Sequence, residues 1–145
     1  MANLGQFLKD MKSGLDPNLG PREVIDRWQP AVEKLMKRVK LALEPYKDDL
    51  LIEEWNTAHS EGGIRYNLLA LTIRFIDYQI TIEPKKAPGR GGPGRVEASC
   101  GLNVVWLLWS GGDNWSYKWE YPARSEGPQP LMGDAIERLV EELLR

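Results

Sequence analysis

Between Leu102 and Tyr121 the chain reads LNVVWLLWSGGDNWSYKWEY, two apolar runs that carry four tryptophans and flank Gly111-Gly112-Asp113. A glycine pair between two such runs signals a hairpin, and a hairpin carries a definite register. A turn at Gly111-Gly112 pairs Ser110 with Asp113. Leu108 then faces Trp115, Trp106 faces Tyr117, Val104 faces Trp119 and Leu102 faces Tyr121. All eight side chains share one side, which reads as the core face. Val105, Leu107 and Trp109 fall on the other side, opposite the polar Asn114, Ser116 and Lys118. The strand is therefore apolar on both faces while its partner is not. Either a helix of the same chain covers that side, or Val105, Leu107 and Trp109 form a patch for a partner.

The rest of the chain supplies a sheet and its cover. Leu4, Phe7, Leu8 and Met11 recur at helical spacing over residues 3–13, ahead of Gly14, which predicts a short amphipathic helix. Pro21 suits the first position of a second helix. Its stripe runs through Val24, Ile25, Trp28, Val32, Leu35, Met36, Val39 and Leu43. Pro30 lies inside it and predicts a kink or break near Trp28-Gln29. From Leu50 the period shortens to two, giving a first strand that closes before Ser60-Glu61-Gly62-Gly63.

Residues 64–83 hold three alternating apolar sets whose phase slips by one at each hand-over, as one bulged strand or two strands would. Val96, Ala98, Cys100, Leu102, Val104, Trp106 and Leu108 alternate without a slip and read as one long strand. A linker over 122–130 leads to a terminal helix with Met132, Ala135, Ile136, Leu139, Val140 and Leu143 on its buried stripe. The expected fold is a single α+β domain over residues 1–145. It has two N-terminal helices, an antiparallel meander sheet of four to six strands, and a C-terminal helix packed on the sheet.

Composition narrows the function classes. A net charge of −2 gives no global field toward nucleic acid or anionic lipid. The single cysteine, Cys100, allows no intrachain disulfide and fits a reducing compartment. MANLGQFLKDMKSG lacks the pattern of a signal peptide, and no stretch approaches the roughly 18 apolar residues of a membrane helix. The expected location is the cytoplasm, with no membrane association.

Residues 84–95, PKKAPGRGGPGR, form the one low-complexity stretch and read as a flexible basic loop. Gly89 to Val96 matches GxGxxGxV, the pattern of a kinase nucleotide loop. Pro93 removes a backbone donor that a phosphate cradle would use, and no strand lysine, HRD or DFG follows. A dinucleotide site fails as well, because a strand rather than a helix follows the glycines. What survives is charge: Lys85, Lys86, Arg90 and Arg95 could track a nucleic-acid backbone, alone or with Lys34, Lys37, Arg38 and Lys40. A solvated loop kept soluble by its charge is the plainer reading.

A catalytic set is missing. His59 and Cys100 are the only residues of their kinds. The alternation puts Cys100 on the core face and His59 in an exposed turn. No metal-ligand spacing occurs, and no cofactor is expected. Glu53, His59 and Asp77 are the remaining candidates for acid–base work and read most simply as surface groups. The sequence thus favours a non-enzymatic protein-binding or adaptor module, chaperone-like in kind, that uses the sheet face or a helix surface. Its partner is a protein of unknown identity or a second copy of the chain. The alternative is a nucleic-acid-binding protein using the loop at 85–95.

Overall fold

The computed structural model describes Leu4, residues 19–89 and residues 92–145. Helix α1 spans Pro21–Leu43 and ends in a turn of 3₁₀ helix at Glu44–Tyr46. Seven strands follow: β1 Leu51–Glu61, β2 Ile64–Phe75, β3 Tyr78–Lys86, β4 Gly94–Cys100, β5 Asn103–Trp109, β6 Trp115–Tyr121 and β7 Gln129–Pro130. Helix α2, Ala135–Leu144, closes the chain. The strands lie in sequence order in one sheet, each antiparallel to the last. The α+β class, the meander and the C-terminal helix are as expected.

Several details differ. The described residues contain one N-terminal helix rather than two; the helix expected over 3–13 lies outside them, apart from Leu4. Among the described residues the strands number seven, not four to six. Residues 64–83 divide at Ile76-Asp77 into β2 and β3, with Phe75 paired to Tyr78. The long alternation over 96–108 divides as well, because Cys100 pairs with Asn103 across Gly101-Leu102. The short β7, inside the expected linker, supplies the last strand by pairing Gln129 and Pro130 with Tyr117 and Ser116.

The basic loop is also shorter than its composition suggests. Strand β3 runs through Pro84, Lys85 and Lys86, and β4 begins at Gly94. Pro84 sits where the β3–β4 register shifts, an irregularity that tolerates its missing N–H.

Helix α1 runs through Pro30 without a break. Proline there leaves the Asp26 carbonyl without its intrahelical donor. Burial outweighs that loss, since Trp28, Ala31, Val32, Leu35 and Met36 on either side of Pro30 all enter the core. In α2 the buried stripe is Ala135, Ile136, Leu139, Val140 and Leu143, as expected. Met132 is exposed, and Leu131 occupies the core position before the helix instead.

The hairpin register is one residue out from the expected one. Its loop is Ser110–Asn114, closed by Ser110 N–H to Asn114 O (3.2 Å) and Asn114 N–H to Gly111 O (3.0 Å). Trp109 therefore faces Trp115, Leu107 faces Tyr117 and Val105 faces Trp119. A slip of one residue exchanges the faces of a strand. Val105, Leu107 and Trp109 are buried on one face, where Val105 lies in a row with Ala98, Ile82 and Leu71 on the neighbouring strands. Leu102, Val104, Trp106 and Leu108 are exposed or half-buried.

Both helices lie on the face that carries this row. Trp28 of α1 packs on this face, fully buried with ring centroids 5.7 Å from Trp109 and 6.0 Å from Trp115. Arg38 of α1 donates to the Leu131 carbonyl, and Asn103 Nδ2 donates to the Leu143 carbonyl of α2 (3.2 Å). The first bond ties α1 to the segment between β7 and α2, and the second ties α2 to β5.

Candidate functional site

Three places in the fold carry side chains with chemical potential: the outward sheet face, the basic hairpin, and the end of the molecule where the two helices meet.

The outward face is knit to itself. Trp55 faces Ala70 across β1–β2, and its Nε1–H donates to Thr72 Oγ1 (3.0 Å), so the indole lies over both. Trp106 Nε1–H donates to Glu97 Oε1 (3.1 Å), and the Arg95 guanidinium stacks 4.5 Å from the Trp106 ring. Lys85 reaches Glu83 (2.6 Å) and Glu97 (4.0 Å). Arg74 pairs with Glu53 (2.6 Å). Two of the four residues expected to meet a nucleic-acid backbone, Lys85 and Arg95, are thus engaged with neighbouring carboxylates or an aromatic ring. Lys86 ends β3, and Arg90 lies outside the described residues. On α1, Lys40 pairs with Glu54 and Arg38 holds the Leu131 carbonyl. Among the described residues of these sets, Lys85, Arg95, Lys40 and Arg38 thus hold partners within the chain.

His59 is not in an exposed turn. Strand β1 extends to Glu61, and His59 lies half-buried within it, opposite Tyr66 with ring centroids 5.8 Å apart. Its Nε2 is 2.5 Å from Thr57 Oγ1. Burial is the main cause holding His59 below its ordinary 6.5; Glu83 raises it and Lys85 lowers it further, in smaller measure. Burial, then Glu61, pushes the Tyr66 phenol up to about 12. For His59 the sign is fixed: the folded chain takes its proton less readily than the unfolded chain. The contribution to stability is full above pH 6.5 and is lost as pH falls below it. Wild type should lose more stability than His59→Gln between about pH 7.5 and pH 5, followed by urea unfolding. A steeper loss in the variant would contradict this.

The remaining acid–base candidates do not converge. Glu53 and His59 are six positions apart on one strand, about 20 Å at the rise of extended chain. Asp77 is in the turn at the far end of β2 from Tyr66. Cys100 is half-buried against the core cluster. Among the described residues no group of three His, Cys, Asp or Glu side chains is placed to hold a metal ion.

The third place is a groove. Its volume is about 330 Å³, and its lining comes from the end of α1 and the segment after it (Leu43, Tyr46, Leu50), from β2 (Phe75) and from α2 (Val140, Leu144). Its charged lining residues, Asp49, Glu137 and Glu141, are all acidic. Local sequence explains the shape. Pro45 cannot continue α1, so the chain turns out through Tyr46 and re-enters the sheet at Leu51. The space under that turn is closed by the last turn of α2.

Large apolar residues continue the surface beside the groove: Tyr46 is 45% exposed, Ile76 80% and Tyr78 51%. Ile76, at the β2–β3 turn next to Phe75, has φ +54°. A β-branched residue in the left-handed region is a strained choice for an exposed turn. The hydrophobic content of this end was readable in the sequence, but its convergence was not, because it depends on where α2 crosses α1.

The fold and this groove define a two-layer α+β meander domain with an apolar, acid-rimmed recess at one end. Comparisons with protein-family models, with curated proteins and with solved structures found no match. Among the described residues no helix is long and apolar enough to cross a membrane.

Proposed function

We propose that this chain is a non-enzymatic protein-binding module, and that its binding site is the groove between α1, β2 and α2. The observation that carries the reading is the coincidence of an apolar recess, an all-acidic set of charged lining residues and a fringe of exposed Tyr46, Ile76 and Tyr78. Recesses of this size accept a few side chains, and the apolar fringe extends the footprint beyond a small molecule. The partner that fits is a basic amphipathic segment, whose apolar side fills the recess while its Lys or Arg side chains meet Asp49, Glu137 and Glu141. Val105, Leu107 and Trp109 are buried in the core and do not line this groove. The outward sheet face offers fewer unused groups, since Trp55, Trp106, Lys85 and Arg95 already hold partners within the chain.

A labelled Lys/Leu amphipathic peptide, titrated by fluorescence polarisation, tests the reading. Wild type should bind it saturably, and the double variant Asp49→Lys/Glu137→Lys should weaken binding at least ~10-fold, with affinity falling as salt rises. The matching Glu/Leu peptide should not bind. Equal affinity of the Lys/Leu peptide for wild type and double variant would remove the groove as the site.

A further inference from the structure

The two edges of the sheet are treated differently. At one edge, β7 covers Ser116 and Tyr117 of β6, and the remainder carries Lys118 and a bulge near Val104/Val105. Charge and irregularity are common ways to blunt an edge. At the other edge β1 runs for 11 residues, paired to β2 without a register shift, and no strand among the described residues pairs with its outer side.

The groups that this edge presents follow from the turn. Glu61 and Ile64 flank a two-residue loop whose Gly62 and Gly63 both have positive φ, +56° and +84°. That is the type I′ arrangement, and the flanking pair exchanges both hydrogen bonds. Alternation then assigns the backbone groups of His59, Thr57, Trp55, Glu53 and Leu51 to β2. Those of Ser60, Ala58, Asn56, Glu54 and Ile52 point away from it. The same alternation sends the Asn67 carbonyl of β2 away from β1, where Gln29 Nε2 takes it at 2.7 Å.

We propose that β1 pairs antiparallel with β1 of a second copy of this chain, about a two-fold axis at Asn56, joining two sheets into one. The edge is self-complementary in that register. Ile52 meets Ser60, Glu54 meets Ala58, and Asn56 meets its own copy, giving about ten backbone hydrogen bonds. On the outward face Glu53 stands opposite His59 and Trp55 opposite Thr57, so no like charges face each other. Moving the axis to Thr57 sets Glu53 against Glu61, and moving it to Trp55 leaves the end of the strand unpaired. Glu53 and Glu54 are already neutralised within the chain by Arg74 and Lys40. A closed two-fold contact of this kind also removes the exposed edge.

Sedimentation equilibrium over a micromolar-to-millimolar series tests the pairing. Wild type should rise from 16.5 kDa toward twice that mass. Asn56→Lys sets two lysines face to face at the axis, and Asn56→Pro deletes an outward N–H that β2 does not use. Both should stay monomeric with wild-type near-UV circular dichroism, and the two changes act independently should one perturb folding. A wild type that remains monomeric to millimolar concentration overturns the proposal. So does a dimer that survives both substitutions. If wild type stays monomeric yet binds an alternating Thr/Val peptide of unrelated sequence from solution, the edge takes a foreign strand and the homodimer falls. None of these results touches the Lys/Leu peptide titration, so the groove and the edge stand or fall separately.

Discussion

Trp28→Ala should lower the unfolding free energy by about 3–5 kcal/mol, the range found for truncating a large buried aromatic. Trp28 is fully buried on α1 and is the side chain that joins the helix to the far strands, through Trp109 of β5 and Trp115 of β6. Those two rings also contact each other, with centroids 6.5 Å apart. Removing Trp28 opens a void that the indoles of two other elements cannot close by rotating, because each is fixed in the sheet. Trp109 is further held by its Nε1–H to the Gly112 carbonyl at 2.9 Å. For a domain of this length the midpoint should fall by roughly 6–20 °C in a thermal scan. A loss below about 1 kcal/mol would mean that the aromatic trio does not bear on the stability of the fold.

The second large effect comes from the strand that Trp28 rests on. A Cβ at Gly94 would lie 2.4 Å from Cζ3, 2.8 Å from Cη2 and 2.9 Å from Cε3 of Trp28. The indole is wedged against Trp109 and Trp115 and has nowhere to go. Gly94→Ala should therefore cost about 1–3 kcal/mol or more, in the manner of an overpacked core. The two positions should also couple. In a Trp28→Phe background the smaller ring leaves room, and the cost of Gly94→Ala should fall by at least half, measured as a double-mutant cycle. Additive losses would place the clash elsewhere.

Gly94 illustrates what the sequence conveyed and what it withheld. Its letter sits in a glycine-rich stretch and reads as loop, yet it opens β4 and is glycine because an indole from another element lies against it. The α+β class, the meander and the apolar stripes of both helices were legible, since each rests on periodicity within one segment. The faces of β5 were not. Val104 to Trp109 is apolar at every position, so alternation carries no phase there. The phase had to come from the turns on either side. Gly101-Leu102 went unseen because its flanks alternate smoothly through it, and the Ser110–Asn114 loop is longer than the glycine pair suggested. Together these errors exchanged Trp106 and Trp109 between core and surface.

The candidate site was hidden for a different reason. Tyr46 with Leu50, Phe75, and Val140 come from three segments, and nothing local in any of them announces the other two. Pro30 shows the converse, a local rule overruled: the proline argues for a break, but the apolar residues on both sides of it demand one continuous helix against the sheet.

The order of the strands has a kinetic consequence. Every strand pairs with its predecessor in the chain, so each closure spans a short loop and little chain entropy is lost before hydrogen bonds form. The sheet can assemble hairpin by hairpin without waiting for distant segments to meet. The contacts that must span most of the chain are those of the helices, above all Trp28 with Trp109 and Trp115. Docking of α1 is then the slow, committing event. A probe on Trp28 should report the rate-limiting phase of refolding, while the β1–β2 turn forms ahead of it.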